Sequence, residues 1–287
     1  MAEMTLKKAW SYGKEQLEAV KIEDAVLDSW YLLEWAAGVT KARYYMDPDK
    51  LLTEEEYQKY INGIARRRQR IPLQHITGEQ EFMGLKFLVN EHVLVPRQDT
   101  EILVEEGLKR IRPNQDVLDM CTGSGCIIIS MEQLSQKDYS GYNCRFTGVD
   151  ISEKALSKAS ENVMLHKANV ELKQSDLFEN VEGKYDIIIS NPPYIRTSVI
   201  EGLEEEVKCH DPFIALDGKE DGLYFYRGII EEGRGHLKNG GWLLFEIGHD
   251  QREEVMMLMK KAGYTEISAK KDLAGLDRVV MARYNEV

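Results

Sequence analysis

Four consecutive residues, Asn191-Pro192-Pro193-Tyr194, carry the most specific chemistry in the sequence, and they directly follow a β-prone run at 185–190. Because proline lacks a backbone N–H and fixes φ, such a loop presents carbonyl oxygens on a stiff frame. Asn191 precedes a proline and is biased toward an extended backbone, which leaves its side chain free to point into a site. Its side-chain oxygen and the Pro192 carbonyl can accept both N–H bonds of a planar NH2 group. A proline turn that merely ends a strand is the plainer alternative.

A glycine-rich turn at 119–125 is predicted to follow an earlier strand and to precede a helix. Gly123 and Gly125 permit a tight turn and a close approach of backbone to a ligand, and a helix N-terminus offers free N–H groups. Dinucleotide enzymes share such a turn, but position 128 here is Ile rather than a third glycine. The Asp119 carboxylate would also repel a diphosphate. S-adenosylmethionine, which has an ammonium group and no pyrophosphate, fits the turn better.

Two further acids follow the next two predicted strands. Asp150 can bind both ribose hydroxyls of a nucleoside, and Asp176 can accept from an adenine amino group while apolar neighbours cover the ring. Taken singly, each acid is more simply a helix cap or a turn residue. Three acids at the ends of three successive strands favour a nucleoside cofactor. The predicted cofactor-binding residues are Asp119, Thr122, Gly123, Gly125, Asp150, Ile151, Asp176, Leu177 and Asn191.

The proline loop and the cofactor acids together predict methyl transfer from S-adenosylmethionine to a planar nitrogen, with S-adenosylhomocysteine as the product. Acceptors on both N–H bonds stabilise the positive charge that develops on that nitrogen. Tyr194 can pack over the planar group, and in-line positioning supplies much of the rate without a strong base. The predicted catalytic residues are Asn191, Pro192 and Tyr194, and these three together with Pro193 are predicted to bind the substrate.

From about residue 116 the sequence alternates short β-prone runs with helical segments. The predicted strands cover 117–120, 145–149, 170–173, 185–190, 242–247, 265–269 and 279–284, and the predicted helices include 152–166, 223–237 and 251–262. Such alternation predicts a mostly parallel sheet covered on both faces, with ligands at the carboxyl ends of its strands. The expected fold is α/β, a Rossmann-like class I S-adenosylmethionine-dependent methyltransferase domain with a seven-stranded sheet, over residues 97–287.

The first seventy-odd residues are predicted to form a small helical domain over 1–75. Thr53 and Glu56 form a predicted capping box for a helix that ends in the basic run 66–70, where Pro72 stops it. Basic residues there suit the negative end of the helix dipole, and a basic face for an acidic or RNA-bearing partner is the alternative. The β-prone runs 80–89 and 93–95 predict a hairpin that links the two domains over 76–96.

Composition narrows the classes of partner. The formal net charge of −12 and the pI near 5.1 disfavour wholesale binding to nucleic acid phosphates. The four cysteines form no CxxC pair, so we expect small, buried, reduced side chains and no metal site. No apolar stretch has the length of a signal peptide core or a membrane span, and the expected location is therefore the cytoplasm.

Over most of its length the sequence resembles the HemK/PrmC family, the release factor glutamine methyltransferases. The resemblance rests on Pro72-Leu-Gln-His-Ile-Thr-Gly78, Glu81-Phe82, Val95-Pro96-Arg97-Gln98-Asp99-Thr100-Glu101, the 119–125 turn, Asn191-Pro192-Pro193-Tyr194, Ala215-Leu-Asp217-Gly218, Asp221-Gly-Leu223 and Glu246-Ile-Gly248. It implies methylation of the glutamine in the Gly-Gly-Gln loop of class 1 peptide release factors, with the helical domain helping to grip the factor. It also implies that 96–101 lines the pocket, which adds Arg97, Thr100 and Glu101 as substrate-binding residues.

The sequence departs from the family at two positions. Gln98 stands where the family usually has proline, and Lys219 stands where it usually has a second glycine. Both departures affect fine geometry more than reaction class. Without the resemblance, Arg97, Asp99 and Glu101 would read as a surface charge cluster.

The main alternative is a base methyltransferase that acts on adenine or guanine amino groups of DNA or RNA, because the same proline loop serves those nitrogens. The acidic balance, the absence of a long basic recognition domain and the 96–101 segment argue against it. A non-catalytic nucleoside-binding protein would not need the carbonyl array, and an NAD-dependent dehydrogenase would need the third glycine. We therefore expect class 1 release factors as partners and no direct nucleic acid substrate.

Overall fold

The computed structural model describes residues 4–138 and 143–286. The chain divides into two compact units, one comprising the residues up to Glu79 with Glu204–His210, and the other comprising Gln80–Leu203 with the residues from Asp211 onward. We propose that the chain has domains at 1–75 and 97–287 with a linking segment at 76–96.

The first unit is built of helices. They are α1 (Leu6–Glu18), α2 (Ala25–Ala37), α3 (Lys41–Met46), α4 (Glu54–Arg67) and α5 (Leu73–Thr77). The predicted capping box is present at the start of α4, where the Thr53 N–H donates to Glu56 Oε2 at 2.8 Å and the Glu56 N–H donates to Thr53 Oγ1 at 3.2 Å. The fully buried Trp30 and Tyr60 belong to the core that these helices share.

Two arginines of the basic run at 66–70 form hydrogen bonds within the first unit. Arg67 is buried and donates to Asp28 Oδ2 at 2.6 Å and to Glu206 Oε1 at 2.8 Å. Arg70 donates to the backbone carbonyls of Val20 and Lys21. Because two carboxylates flank Arg67, its charge is compensated inside the unit. At these two positions the basic run therefore stabilises the fold, rather than forming the free basic face that the sequence allowed.

The second unit contains a two-stranded and a seven-stranded sheet. The strands are β1 (Glu79–Phe82), β2 (Leu85–Leu88), β3 (Asp116–Met120), β4 (Arg145–Asp150), β5 (Val170–Gln174), β6 (Tyr185–Ser190), β7 (Leu237–Glu246), β8 (Thr265–Lys271) and β9 (Asp277–Arg283). The larger sheet has the order β5-β4-β3-β6-β7-β9-β8, in which β9 runs antiparallel to both of its neighbours and the other pairs are parallel. The predicted α/β fold with seven strands is confirmed.

The helices of the second half of the chain follow in order. They are α6 (Glu101–Leu108), α7 (Cys126–Asp138), α8 (Glu153–His166), α9 (Thr197–Ile200), α10 (Glu205–His210), α11 (Phe213–Leu216), α12 (Tyr224–His236) and α13 (Arg252–Lys261), and a short 3₁₀ turn covers Gln98–Thr100. The predicted helices at 152–166, 223–237 and 251–262 match α8, α12 and α13. Ser152 caps α8 with its side chain, which accepts from the Ala155 N–H at 3.2 Å.

Alternate side chains of the central strands fill a core on each face of the sheet. Leu118 and Ile188 belong to one apolar cluster, while Val117, Ile187 and Ile189 belong to the other. A strand buried on both faces must be apolar throughout, which explains the unbroken Ile187-Ile-Ile189 run.

The chain reverses its winding between β3 and β6, because β4 and β5 extend the sheet on one side and β6 and β7 on the other. Ligands of such sheets bind at this reversal, outside the carboxyl ends of the strands. Met120 pairs with Ser190 across the two strands, so the turn after β3 and the Asn191 loop begin at the same level. The Ser190 hydroxyl donates to the Met120 carbonyl at 2.6 Å and ties the two strand ends together.

Two expectations are wrong. The segment 93–95 is not a strand; Val93 and Val95 are buried, so their apolar character reflects packing rather than sheet pairing, and Pro96 has no N–H to donate. The hairpin instead turns within the earlier run, at Met83 and Gly84, which both have positive φ. The cysteines also differ from expectation, since Cys209 is exposed and Cys121 is half-buried, while Cys126 and Cys144 are buried.

Candidate active site

A cavity of about 290 Å³ lies in the second unit at the reversal between β3 and β6. Among the predicted site residues, it is lined by Arg97, Thr100, Thr122, Gly123, Asp150, Ile151, Asp176, Leu177, Asn191 and Pro193. The remaining predicted residues, Asp119, Gly125, Glu101, Pro192 and Tyr194, are not among its lining residues. Within residues 4–138 and 143–286, no group of His, Cys, Asp and Glu has the arrangement of a metal site. None of the helices in these residues combines the length and the hydropathy of a membrane span.

The glycine-rich turn has the tight backbone that its sequence predicts. Gly123 and Gly125 have φ of 56° and 78°, a region that costs glycine little. The Thr122 N–H donates to the Val149 carbonyl at 2.9 Å, and the Gly125 N–H donates back to the Thr122 carbonyl at 2.8 Å. Gly125 therefore shapes the turn, while Thr122 and Gly123 face the cavity.

Asp119 lies behind this turn rather than on the cavity wall. Its side chain is fully buried, and Oδ2 accepts from the Thr122 hydroxyl at 2.6 Å. Among the described atoms, Oδ1 has no partner at normal hydrogen-bonding distance. Burial raises the pKa of Asp119 to about 7. Because a cationic group that comes close stabilises a carboxylate, Asp119 behind the turn suits a ligand that carries an ammonium group.

Asp150 ends β4 and organises the neighbouring backbone. Its Oδ2 accepts from the Gly123 N–H and its Oδ1 accepts from the Ser152 N–H, both at 2.9 Å. A carboxylate has about four acceptor positions, so each oxygen can still accept from a ligand hydroxyl. Burial raises the pKa of Asp150, and the backbone N–H groups oppose that rise.

The opposite end of the cavity is more open. Asp176 and Ile151 are exposed, and Leu177 sits in a tight turn with φ of 45°. The Ser175 hydroxyl donates to the Leu177 carbonyl at 2.7 Å and holds that turn. The polar atoms at this rim can accept hydrogen bonds from a flat ring, and the apolar side chains beside them can cover the ring.

The Asn191 loop is held by partly buried hydrogen bonds on several sides. Asn191 Nδ2 lies 3.4 Å from the Thr100 hydroxyl, to which it donates. The Tyr194 hydroxyl donates to Glu246 Oε1 at 3.3 Å, and the Tyr194 carbonyl accepts from the Gln251 side chain at 3.0 Å. Burial raises the pKa of the Tyr194 phenol well above its ordinary value. Tyr194 therefore fixes the loop from behind, and its side chain does not line the cavity where the sequence had placed it.

Gly222 explains part of the glycine-rich stretch near residue 220. Its φ is 74°, and a Cβ added there would lie 2.5 Å from the Tyr194 carbonyl oxygen and 2.7 Å from the Gln251 side-chain nitrogen. Only glycine permits this close approach. The stretch therefore packs directly against the back of the Asn191 loop.

Arg97 and Glu101 have different positions although the sequence grouped them. The Arg97 guanidinium lines the cavity, is half-exposed and donates to the buried Asp211 at 2.7 Å. Glu101 instead accepts from the Met83 N–H at 2.7 Å and stabilises the hairpin turn. Of these two residues, Arg97 therefore lines the cavity and Glu101 does not.

Several residues on the cavity wall escaped the sequence analysis. Tyr224 and Phe225 begin α12 in an edge-to-face pair with ring centroids 5.2 Å apart, and Ile214 lines the same side. Only the fold indicates their role, because it shows Tyr224 and Ile214 to be large apolar side chains that stay exposed.

Lys219, one of the two departures from the family, also lines the cavity. Its φ is 70°, which is strained for a residue with a Cβ. Its N–H and its ammonium group both bind the Asp217 carboxylate, at 3.1 Å and 2.9 Å. The side chain therefore offsets the strain that glycine would avoid. Gln98, the other departure, is exposed in the 3₁₀ turn.

Comparison with known proteins identifies the chain at the level of family. The model described as the PrmC N-terminal domain matches residues 8–78, and the model described as the methyltransferase small domain matches residues 98–202. The release factor glutamine methyltransferase of Geobacter sulfurreducens is 39% identical over 281 residues, which cover 97% of this chain and 96% of that protein. The chain belongs to the release factor glutamine methyltransferase family.

The family assignment rests on full-length similarity in more than one organism. The release factor glutamine methyltransferase of Clostridium botulinum is 37% identical over 287 residues, which cover 98% of this chain and 99% of that protein. A methyltransferase from Pyrococcus furiosus shares the fold with a TM-score of 0.51 and 20% identity, over 71% of this chain and 90% of that one. The family predicted from the sequence is confirmed.

Proposed function

We propose that this chain transfers a methyl group from S-adenosylmethionine to the side-chain amide nitrogen of the glutamine in the Gly-Gly-Gln loop of class 1 peptide chain release factors. The observation that carries the proposal is the joining of Asn191 and Asp150 in one cavity at the reversal of the sheet. The names of the full-length relatives support the same reaction.

The cofactor fits the residues of one half of the cavity. Asp150 can still accept hydrogen bonds from the ribose hydroxyls, and Asp176 and Leu177 can bind the adenine. At Thr122 and Gly123 the backbone of the turn can approach the cofactor closely. The unpartnered oxygen of Asp119 favours a ligand that carries an ammonium group. When bound, the cofactor supplies an electrophilic methyl group on a sulfonium.

The other half of the cavity binds and orients the glutamine amide. Asn191 Oδ1 and the Pro192 carbonyl accept the two N–H bonds, which holds the nitrogen and stabilises the positive charge that develops on it. Pro193 and Tyr194 keep this loop stiff. Arg97 and Thr100 line the same half of the cavity and contribute to substrate binding. The amide reacts without a strong base because its position supplies much of the rate. As the N–C bond forms, the nitrogen loses one of its two N–H protons to water.

The partner and the location follow from this reaction. We propose class 1 release factors as the protein substrate, with the first unit contributing to their recognition, no nucleic acid as direct substrate, no metal requirement, and the cytoplasm as the site of action. Base methylation is the second candidate because the Asn191 loop also suits an exocyclic amine.

Labelled S-adenosylmethionine tests the proposal. The chain is incubated with a purified release factor, with the same factor carrying alanine for the loop glutamine, and with DNA and RNA. We expect label on the intact factor alone. Label on nucleic acid, or equal label on both forms of the factor, would contradict the proposed substrate.

A further inference from the structure

A buried side chain on α8, Asn162, joins the glycine-rich turn to strand β2. The residue is fully buried, at 0% exposure, and it does not line the cavity. Its Oδ1 accepts from the Leu88 N–H at 2.7 Å. Its Nδ2 donates to the Leu88 carbonyl at 3.0 Å and to the Ser124 carbonyl at 2.9 Å. A carboxamide has two N–H donors and a carbonyl acceptor, so both donors and the acceptor of Asn162 have partners.

The partner atoms determine which way the Asn162 amide faces. Two of them are carbonyl oxygens, which can only accept, and the third is a backbone N–H, which can only donate. A reversed amide would set its NH2 group against the Leu88 N–H and its oxygen against the Ser124 carbonyl. The side chain therefore binds both backbone segments in a single arrangement.

The bond to Ser124 fixes the orientation of one peptide plane in the glycine-rich turn. In a trans peptide the carbonyl and the N–H point in opposite directions. On the peptide between Ser124 and Gly125, the carbonyl accepts from Asn162 and the N–H donates to the Thr122 carbonyl at 2.8 Å. This plane is therefore held on both sides, and Ser124 itself lines the cavity.

The face of α8 that carries Asn162 packs closely against the same turn. A Cβ added at Gly125 would lie 3.4 Å from the Cβ of Ala159, which stands about one helical turn before Asn162. Within the turn, the Gly123 N–H donates to the carboxylate of Asp150, the acid proposed to bind the ribose. The position of the turn against α8 therefore also sets how Gly123 meets Asp150.

The β2 side of the contact leads into another part of the cavity wall. Asn162 bonds both backbone groups of Leu88, the last residue of β2, as a neighbouring strand would. One helical turn further along α8, Nε2 of His166 donates to the Lys86 carbonyl at 2.7 Å. Most of the segment 92–97, which follows β2, lines the cavity. Asn162 therefore joins two parts of the chain that both reach the cavity.

We propose that Asn162 is a positioning residue for S-adenosylmethionine, whose side-chain amide fixes the glycine-rich turn by tying the Ser124 carbonyl to β2. The inference deepens the proposed function and rests on it. Asn162 touches neither cofactor nor substrate and acts through the backbone of the turn. Cofactor affinity should therefore depend on Asn162, while the chemical step at the Asn191 loop should not.

The test is calorimetric titration of S-adenosylmethionine and S-adenosylhomocysteine into the full chain. Asn162→Asp keeps the shape and the acceptor for the Leu88 N–H, but a carboxyl group has at most one proton to donate to two carbonyls. We expect the Kd of both ligands to rise by roughly 5-fold to 20-fold, as for the loss of one hydrogen bond that orients a binding element. At saturating cofactor, the rate of methyl transfer should stay within about threefold of the wild type.

His166→Ala is the matched control. It removes the bond to the Lys86 carbonyl and the contact with the Phe87 ring, whose centroid lies 5.1 Å from that of His166, and it leaves the turn untouched. We expect this variant to lower the free energy of unfolding while the cofactor Kd stays within about twofold of the wild type. Asn162→Ala repeats the comparison should Asn162→Asp fail to fold, because its smaller side chain leaves room for water at the carbonyls.

Two results would overturn the inference. An unchanged Kd in the folded Asn162 variants would leave the residue with a structural role alone. An equal rise in His166→Ala would assign the effect to the packing of β2 as a whole rather than to the turn. Failure of the proposed function would look different, because the wild type itself would then bind no S-adenosylmethionine or would leave the release factor unlabelled.

Discussion

The two ends of the cavity are built in contrasting ways. At the Asn191 end, the loop is fixed by partly buried hydrogen bonds with Thr100, Glu246 and Gln251 and by the close approach of Gly222. At the Asp176 end, the wall consists largely of exposed side chains, among them Ile151 and Tyr224. A rigid end suits a weak nucleophile that must be held in line, whereas an open end suits a ligand that must enter and leave. The difference predicts that substitutions at the two ends affect different steps.

The largest effect is expected from Asn191→Ala. It removes an acceptor for the substrate amide, so kcat should fall by about 10²–10³-fold, the loss typical of one oriented group in an active site. The affinity for S-adenosylmethionine should change little by calorimetry, since the amide contacts the substrate. An equal loss of cofactor affinity would contradict the assignment of Asn191 to the substrate.

Gly222→Ala should damage the rigid end from behind. The added Cβ meets the Tyr194 carbonyl and Gln251, and the positive φ adds strain, so the free energy of unfolding should fall by about 2–4 kcal/mol. Urea unfolding measures this change, and kcat should fall in the folded fraction. Gly235→Ala, on α12 with no atom within 4 Å of the added Cβ, is the matched control and should not destabilise the protein. Similar behaviour of the two variants would show that the loop is not tightly packed.

Substitutions at the open end should weaken cofactor binding first. Asp150→Ala removes a half-buried carboxylate and should raise the cofactor Kd by roughly 10-fold to 100-fold. Asp176 is exposed, so Asp176→Ala should raise the Kd by less than about 10-fold. Calorimetry compares the two directly. An unchanged Kd in Asp150→Ala would show that the ribose assignment is wrong.

The smallest effect concerns stability and pH. Burial raises the pKa values of both Asp119 and Glu246 to about 7, so the folded protein binds more protons than the unfolded chain below that pH. The contribution of these two groups to the free energy of unfolding is therefore largest near pH 4 and is lost as the pH rises through about 7. Urea unfolding between pH 5 and pH 8 should show a weaker dependence in Asp119→Asn and Glu246→Gln than in the wild type. Equal dependence in all three proteins would mean that neither carboxyl titrates there.

The sequence predicted the strands and the cavity residues at their ends better than the side chains that hold those residues in place. The strands and the ends that carry Asp150, Asp176 and Asn191 follow from local patterns of apolar runs and turn residues. The hydrogen bonds that join Thr100 to Asn191 and Glu246 to Tyr194 connect distant parts of the chain, and no local pattern indicates them. Local patterns also do not show which residues are buried. Arg67, from the basic run, forms an interior ion pair with Asp28. The apolar run at 93–95 packs in the interior without pairing in a sheet.

The location of the transferred methyl group tests the central claim most directly. Fragmentation mass spectrometry of a release factor treated with the chain and S-adenosylmethionine should place one methyl group on the side-chain amide nitrogen of the Gly-Gly-Gln glutamine, and the Asn191→Ala protein should leave that residue almost unmodified. A methyl group on another residue, or the same modification by Asn191→Ala, would contradict an active site in which the rigid end holds the glutamine amide.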